Sequence, residues 1–227
     1  MTTFLDPFVA LLHAALLHLS AVMPGPSGVA IALALVLLTV LLRLSMLPLA
    51  IRGWRAQEAR KGLAPELARL RARHAKDPAV LGEALMGAHR DAGIKPFVGM
   101  GASLAQAPAL MSSYRLVMSP VIAGQANVLT TASLLGAPLS MHWLPVLTTA
   151  GLISAPGVVC VALLLALLVV AALQSRAMTD GPTALRLLPF GSLAWAALAP
   201  VAFSIYLLTS NTWTLAERTM LPRLLGA

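Results

Sequence analysis

Charge is scarce in this sequence, and negative charge scarcest: eight Asp and Glu stand against sixteen Lys and Arg in 227 residues, and charged residues make up only 11%. Soluble globular domains carry about a quarter charged residues, so the shortage excludes that class. Apolar residues reach 59% and the mean hydropathy is +0.85, the balance of a polytopic membrane protein. Cysteine is almost missing: Cys160 stands alone inside VVCVALLLALLVV, which rules out a disulfide framework and any Cys/His metal spacing. A metal site and a cofactor are therefore not expected. The Gly-x4-Gly-Lys-Ser/Thr phosphate loop is also missing, so nothing points to nucleotide use. The N-terminal stretch has neither an early basic region nor an A-x-A-like cleavage site. With apolar residues at helical spacing around Asp6, His13 and His18, residues 1–28 are expected to form an interfacial amphipathic helix and turn.

What is present is a series of apolar runs. A spanning helix needs about 20 apolar residues to cross the ~30 Å hydrocarbon layer. Five spans are expected, at about 29–51, 96–118, 156–173, 184–198 and 201–217, the last two joined by a tight turn at Ala199–Pro200. The fold class is thus an all-α polytopic membrane protein with five transmembrane helices. Residues 29–220 form the core and 221–227 a short tail. Between the first two spans, 52–95 holds ten of the sixteen Lys and Arg residues together with Glu58, Glu66, Asp77, Glu83 and Asp91. Leu63, Leu67 and Leu70 make one apolar stripe, and Val80, Leu81, Ala84, Leu85 and Ala88 another. With Lys-Asp-Pro at 76–78 between them and Gly93 and Pro96 as the close, the pattern predicts an aqueous helical hairpin. Residues 1–42 and 116–175 contain no Lys or Arg, so the positive-inside rule puts the N-terminus outside and the C-terminus in the cytoplasm. The net charge of +8 follows from this asymmetry, and no direct nucleic-acid partner is implied.

Two arginines do not fit as loop charges. Arg115 falls near the outer end of its span, where snorkelling to the headgroups is the expectation. Arg43 falls in the second half of the first span. An arginine at the centre of a spanning helix costs about 2.5–3.5 kcal/mol on insertion scales and usually faces water or a partner. Glu217 is the one acidic residue in any predicted span, at the end of the last, so Arg43 is expected to be hydrated in a wet cavity. The competing reading has it snorkel to the cytoplasmic headgroups.

The order RLSMLPL (43–49), LAPELARLRARHAKDP (63–78), GIKP (93–96), AQAPALMSSYRLV (105–117) and LPFGSLAWAALAPVAFSIYLLTSN (188–211) resembles the YidC family of membrane protein insertases, which includes the oxidase-assembly and thylakoid insertases. The resemblance covers about 29–220. It implies five helices around a groove that opens to the cytoplasm and to lipid and holds one positive charge. Arg43 matches the groove arginine, Gln106 with Pro108 the Gln-x-Pro of the second span, and Tyr206, Thr209, Ser210 and Asn211 the polar stretch of the last span. Pro65, Glu66, Leu67, Lys76, Asp77 and Pro78 match the cytoplasmic hairpin that meets arriving substrate. Departures are Lys95 before Pro96, the missing early proline of the second span, and Leu207 where an aromatic often follows the tyrosine. The large outer domain of some relatives, a basic C-terminal tail and a lipobox cysteine are not found, so the expected location is a bacterial plasma membrane.

The function that follows is insertion of membrane proteins without nucleotide hydrolysis. Short hydrophilic tails of a substrate would cross through the positive groove, and its apolar segment would partition into lipid. Newly made membrane proteins and the bilayer are the implied partners, the Sec translocon and the ribosome are further candidates, and a monomer is expected to suffice. An anion-binding transporter or channel using Arg43 is the alternative, although no inverted repeat and no second intramembrane charge support it. An enzyme is not expected: Ser112 and Ser113 have no His and Asp that the topology would bring to them.

Overall fold

The computed structural model describes residues 4–92, 100–149, 151–178 and 183–225. Among these residues two helical stretches are long and apolar enough to cross a membrane, Ser27–Ala59 and Ala155–Ala177. Asp6–Val22 and Ala184–Leu198 are shorter apolar helical stretches. Among the described residues the expected five-span count is therefore met only in part, since the other runs are shorter or less apolar.

The chain is mostly helical and divides into two units, one of Met1–Leu44 with Ala109–Ala227 and one of Ser45–Pro108. Helix α1 is Asp6–Val22, α2 Ser27–Arg73, α3 Pro78–Asp91 and α4 Met100–Met118. The first span does not break at residue 52 as the change in composition suggests; α2 runs on through Pro48 and Pro65 for 47 residues. Pro48 brings no N–H to the carbonyl of Leu44, and the division between units falls there. One further element shares this division, since α4 begins in the second unit and ends in the first.

In the first unit, the connection after α4 is more ordered than its Gly, Pro, Ser and Thr content implied. Strands β1 (Val121–Ile122) and β2 (Gln125–Ala126) pair antiparallel, as do β3 (Ser133–Leu134) and β4 (Ala137–Pro138), with the one-turn helix α5 (Val128–Thr131) between them. Both hairpins turn on two left-handed residues, Ala123–Gly124 at φ 50° and 78° and Leu135–Gly136 at φ 50° and 87°. Primed turns match the right-handed twist of paired strands. Asn127 holds the connection together: fully buried, its Nδ2 donates to the carbonyls of Leu116 (2.6 Å) and Ser119 (2.8 Å) at the end of α4, while its Oδ1 accepts from the Leu129 amide (3.1 Å). One side chain thus closes one helix and starts the next. Gly28, in the first turn of α2, lies against β3, where a Cβ would collide with the Ser133 carbonyl.

Helices α6 (Trp143–Thr149), α7 (Ala155–Ala177), α8 (Gly191–Leu198) and α9 (Val201–Leu225) follow, with a 3-10 turn at Thr183–Phe190 leading into α8. The tight connection expected at Ala199–Pro200 is present. A helix start leaves amides without intrahelical acceptors, and the loop after β4 supplies them here. Val201 N donates to Met141 O (3.0 Å) and Ala202 N to Leu139 O (2.9 Å). The core joins Leu35 and Leu38 of α2, Leu116 of α4, Leu129, Leu139 and the start of α9 through Phe203 and Tyr206. Helix α1 buries Val9, Leu12, His13 and Leu16 against it while Phe4, Phe8 and Leu11 stay exposed. Burial lowers the pKa of His13 from its ordinary 6.5.

Helix α7 packs chiefly on α9. It buries the stripe Cys160, Leu167, Ala171 and Gln174, while Val158, Leu165, Leu168, Val169 and Leu173 are exposed. Exposed apolar area over most of a helix suits lipid and not water.

In the second unit, α2 ends at Arg73 and a turn carries the chain to Asp77. The Asp77 carboxylate accepts from the amides of Ala79 (3.1 Å) and Val80 (3.2 Å), and Pro78 takes the first helical position of α3. Ala56 and Leu63 of α2 and Ala88 of α3 are buried. The expected close at Gly93 and Pro96 lies outside the described residues.

Candidate functional site: an arginine between α2 and α9

On α2, Leu35, Thr39 and Arg43 follow one another at intervals of four, so they share a helix face. Leu35 and Thr39 are buried, and the Thr39 hydroxyl bonds back to the Leu35 carbonyl at 2.7 Å. Arg43 is carried by the same face toward α9. Its Nη2 donates to the Ser210 hydroxyl. Among the described residues no carboxylate pairs with Arg43, and the side chain is half-buried. Among the described residues a positive charge is therefore met by a neutral hydroxyl oxygen.

Ser210 is positioned by α9, where it lies one turn after Tyr206. Both are buried, but they meet different neighbours. Tyr206 stacks on Phe203 at 5.6 Å between ring centroids, and Phe203 meets Tyr114 edge-on at 5.5 Å, so this tyrosine belongs to the core cluster. Thr209 turns its hydroxyl to the Ile205 carbonyl of its own helix (2.9 Å). Asn211 takes part through its backbone: its carbonyl accepts from Gln174 Nε2 at 2.6 Å. Consecutive helical residues point about 100° apart, and Thr209, Ser210 and Asn211 accordingly make three separate contacts.

Gln174 was not among the residues singled out in the sequence. It is 5% exposed and pins α7 to α9 one residue from the arginine's partner. The signal was available, since Gln174 continues the helical stripe of Cys160, Leu167 and Ala171 as its one polar member. One turn beyond Thr209, Trp213 Nε1 donates to Glu217, which ties the acidic residue at the end of the last apolar run to its own helix. Gln106 lies on α4, and its side chain is outside the described residues. Pro65, Glu66, Lys76, Asp77 and Pro78 are exposed in the second unit and Leu67 is half-buried.

Arg115 departs from expectation. It does not reach for headgroups alone: Nη1 meets Asp6 Oδ1 at 2.5 Å, which joins the end of α4 to the first turn of α1. The acid lay outside every predicted span, so only the packing of α1 could reveal it.

The family described as 60Kd inner membrane protein matches residues 23–225. The chain belongs to the YidC insertase family. Curated relatives of the same kind include the membrane protein insertase YidC of Caulobacter vibrioides (strain NA1000 / CB15N), 33% identical over 85 residues, which are 37% of this chain and 14% of that protein. Another is that of Nitrosospira multiformis, 30% identical over 112 residues, 49% of this chain and 20% of the relative. A longer match, to that of Ralstonia nicotianae, is 23% identical over 195 residues, 85% of this chain and 32% of the relative. The matched chain thus spans from 14% to 32% of the length of these YidC relatives. The family's description is of an inner membrane protein, and among the described residues two helices are long and apolar enough to cross one.

Proposed function

We propose that the chain inserts membrane proteins into a bacterial plasma membrane, and that Arg43 supplies the fixed positive charge of a hydrated groove. One observation carries the reading: a guanidinium sits on a packed helix face with a hydroxyl, and no carboxylate, as its partner among the described residues. A structural ion pair would have used an acid. An uncompensated cation inside a span keeps water with it, and such a site attracts the acidic tail of a substrate and lets that tail leave the cytosol partly hydrated. Burial of the substrate's apolar segment, at about 25 cal/mol per Å², then drives release into lipid without nucleotide.

The remaining parts follow in the same reading. In this reading five spans put α1 along the outer interface and the end of α9 on the cytoplasmic side. Residues 52–95 form the cytoplasmic hairpin that meets the substrate first, Pro65–Leu67 on its first helix and Lys76–Pro78 at its turn. Tyr206, Thr209 and Asn211 line the path taken by the substrate, and the protein works as a monomer with no chemical step of its own.

The test is reconstitution. Purified protein in liposomes without nucleotide should insert a short single-span substrate bearing an acidic N-terminal tail, scored by protection from external protease. Protection equal to that of empty liposomes would refute the proposal.

A further inference from the structure

In the first unit, the starts of α2 and α7 meet the same hairpin. A Cβ on Gly28, in the first turn of α2, would collide with the Ser133 carbonyl of β3, and one on Gly136 would come to 3.3 Å from the Cβ of Ala155, the first residue of α7. The hairpin of β3 and β4 is therefore wedged between two helix starts. Its stem is seated, with Ala137 fully buried, yet Leu135 at its tip is 69% exposed. A second loop ends at the same point, since Leu152 and Ile153, just before α7, are 55% and 96% exposed.

We infer that Leu135, Leu152 and Ile153 form an apolar collar that dips into the leaflet at which α2 and α7 begin, just below the headgroups. Leucine is a costly choice at the tip, because the left-handed position it fills favours Asn or Gly. The side chain suits a partner outside the fold. Water is a poor one: three large apolar side chains stand around one helix start, and no Asp, Glu, Lys or Arg occurs between Arg115 and Arg176. A second protein is also a poor one, since a stable interface buries about 800 Å² on each partner, far more than three side chains offer. Lipid fits by position. The 23 residues of α7 rise about 35 Å against a hydrocarbon layer of about 30 Å, which leaves Arg176 at one boundary and the collar at the other. The Ser154 hydroxyl accepts from the Gly157 amide at 3.1 Å and spares one amide of that helix start the need for water. With no charge in it, the collar takes acyl chains under any headgroup. Which side of the membrane this is belongs to the functional reading above, and the collar does not depend on it.

Carbene labelling of the unmodified protein in vesicles tests the inference. A phospholipid with a diazirine near the top of its acyl chain should leave adducts on the peptides holding Leu135 and Ile153, as on the exposed Val158 one turn into α7. Leu135→Asn suits the turn and should cut the adducts on its own loop several-fold while keeping those at Val158. In a Cys160→Ala background, a nitroxide at Leu135→Cys should meet oxygen, relative to a water-soluble nickel complex, several-fold more often than one at the exposed Ala79→Cys. That ratio should be the same in phosphatidylcholine and phosphatidylglycerol vesicles. Adducts at Val158 with none on the two loops, equal ratios at 135 and 79, or a raised ratio in phosphatidylglycerol alone overturns the collar. Broadening between nitroxides at 135 that vanishes on dilution overturns it in favour of a second copy. None of these measurements depends on insertion, so the proposed function stands or falls separately in the liposome assay.

Discussion

Replacing Ser210 and Arg43 separates the charge of the arginine from its placement. Ser210→Ala removes the one hydroxyl that Arg43 bonds among the described residues. Hydrogen bonds to charged groups contribute about 1.5–3 kcal/mol, but Arg43 is half-exposed and water replaces the lost partner, so a value near 1 kcal/mol is expected. That is roughly a fivefold loss of insertion rate with the protein still folded. Arg43→Ala removes the charge itself. At about 10 Å and an effective dielectric of about 20, one unit charge on a substrate tail gains about 1.7 kcal/mol from the arginine, so an acidic tail should slow by roughly tenfold or more. A neutral tail should change little. Arg43→Lys keeps the charge and loses the planar fork, and should retain most of the rate for acidic tails. The assay is the initial rate of protease protection in liposomes for two substrates that differ only in tail charge. Equal losses for both tails in Arg43→Ala, or an inactive Lys variant beside an unfolded Ala variant, would show that Arg43 holds α2 to α9 and does not act on the substrate.

In a Cys160→Ala background, cysteines at Ser140 and Ala79 should react with an impermeant thiol reagent from opposite sides of the membrane; reaction of both from one side contradicts the five-span topology. Truncating residues 63–92 to a short linker should leave a folded membrane core but stop insertion, and full activity would reduce the segment to a topology anchor. Asn127→Ala leaves two carbonyls and an amide without the buried side chain that pairs them, at a cost of about 3 kcal/mol, so its melting temperature in detergent should drop by several degrees; an unchanged value refutes the clamp. Leu135→Asn places a residue that tolerates the left-handed region where leucine now sits at φ 50° and 69% exposed. It should stabilise the protein by about 1 kcal/mol, and a lower melting temperature in the same assay would count against the primed turn.

The sequence by itself determined the class of the protein, because hydropathy and charge are sums over residues and need no contacts. It located α1, the helices α7 to α9 with their turn at Ala199–Pro200, and the arginine whose cost in lipid demands an explanation. It also marked the turn at Lys-Asp-Pro between two apolar stripes, whereas the capping role of Asp77 came from the structure. What only the tertiary structure decided is who meets whom. That Arg43 finds Ser210, 167 positions away, depends on how α2 is rotated against α9, and the apolar surround gives many rotations similar hydropathy. Gln174 and Asn211 meet for the same reason, on two helices whose order in space no local pattern encodes. The change of composition at residue 52 suggested a break that α2 does not make, because helix hydrogen bonding is indifferent to whether side chains face lipid or water. The connection after α4, rich in Gly, Pro, Ser and Thr, suggests a loop with short helical pieces, and its two-residue strands are too short to leave a period. Arg115 read as a snorkelling charge until α1 folded back and brought Asp6 to it, an ion pair that exists only where two distant segments pack.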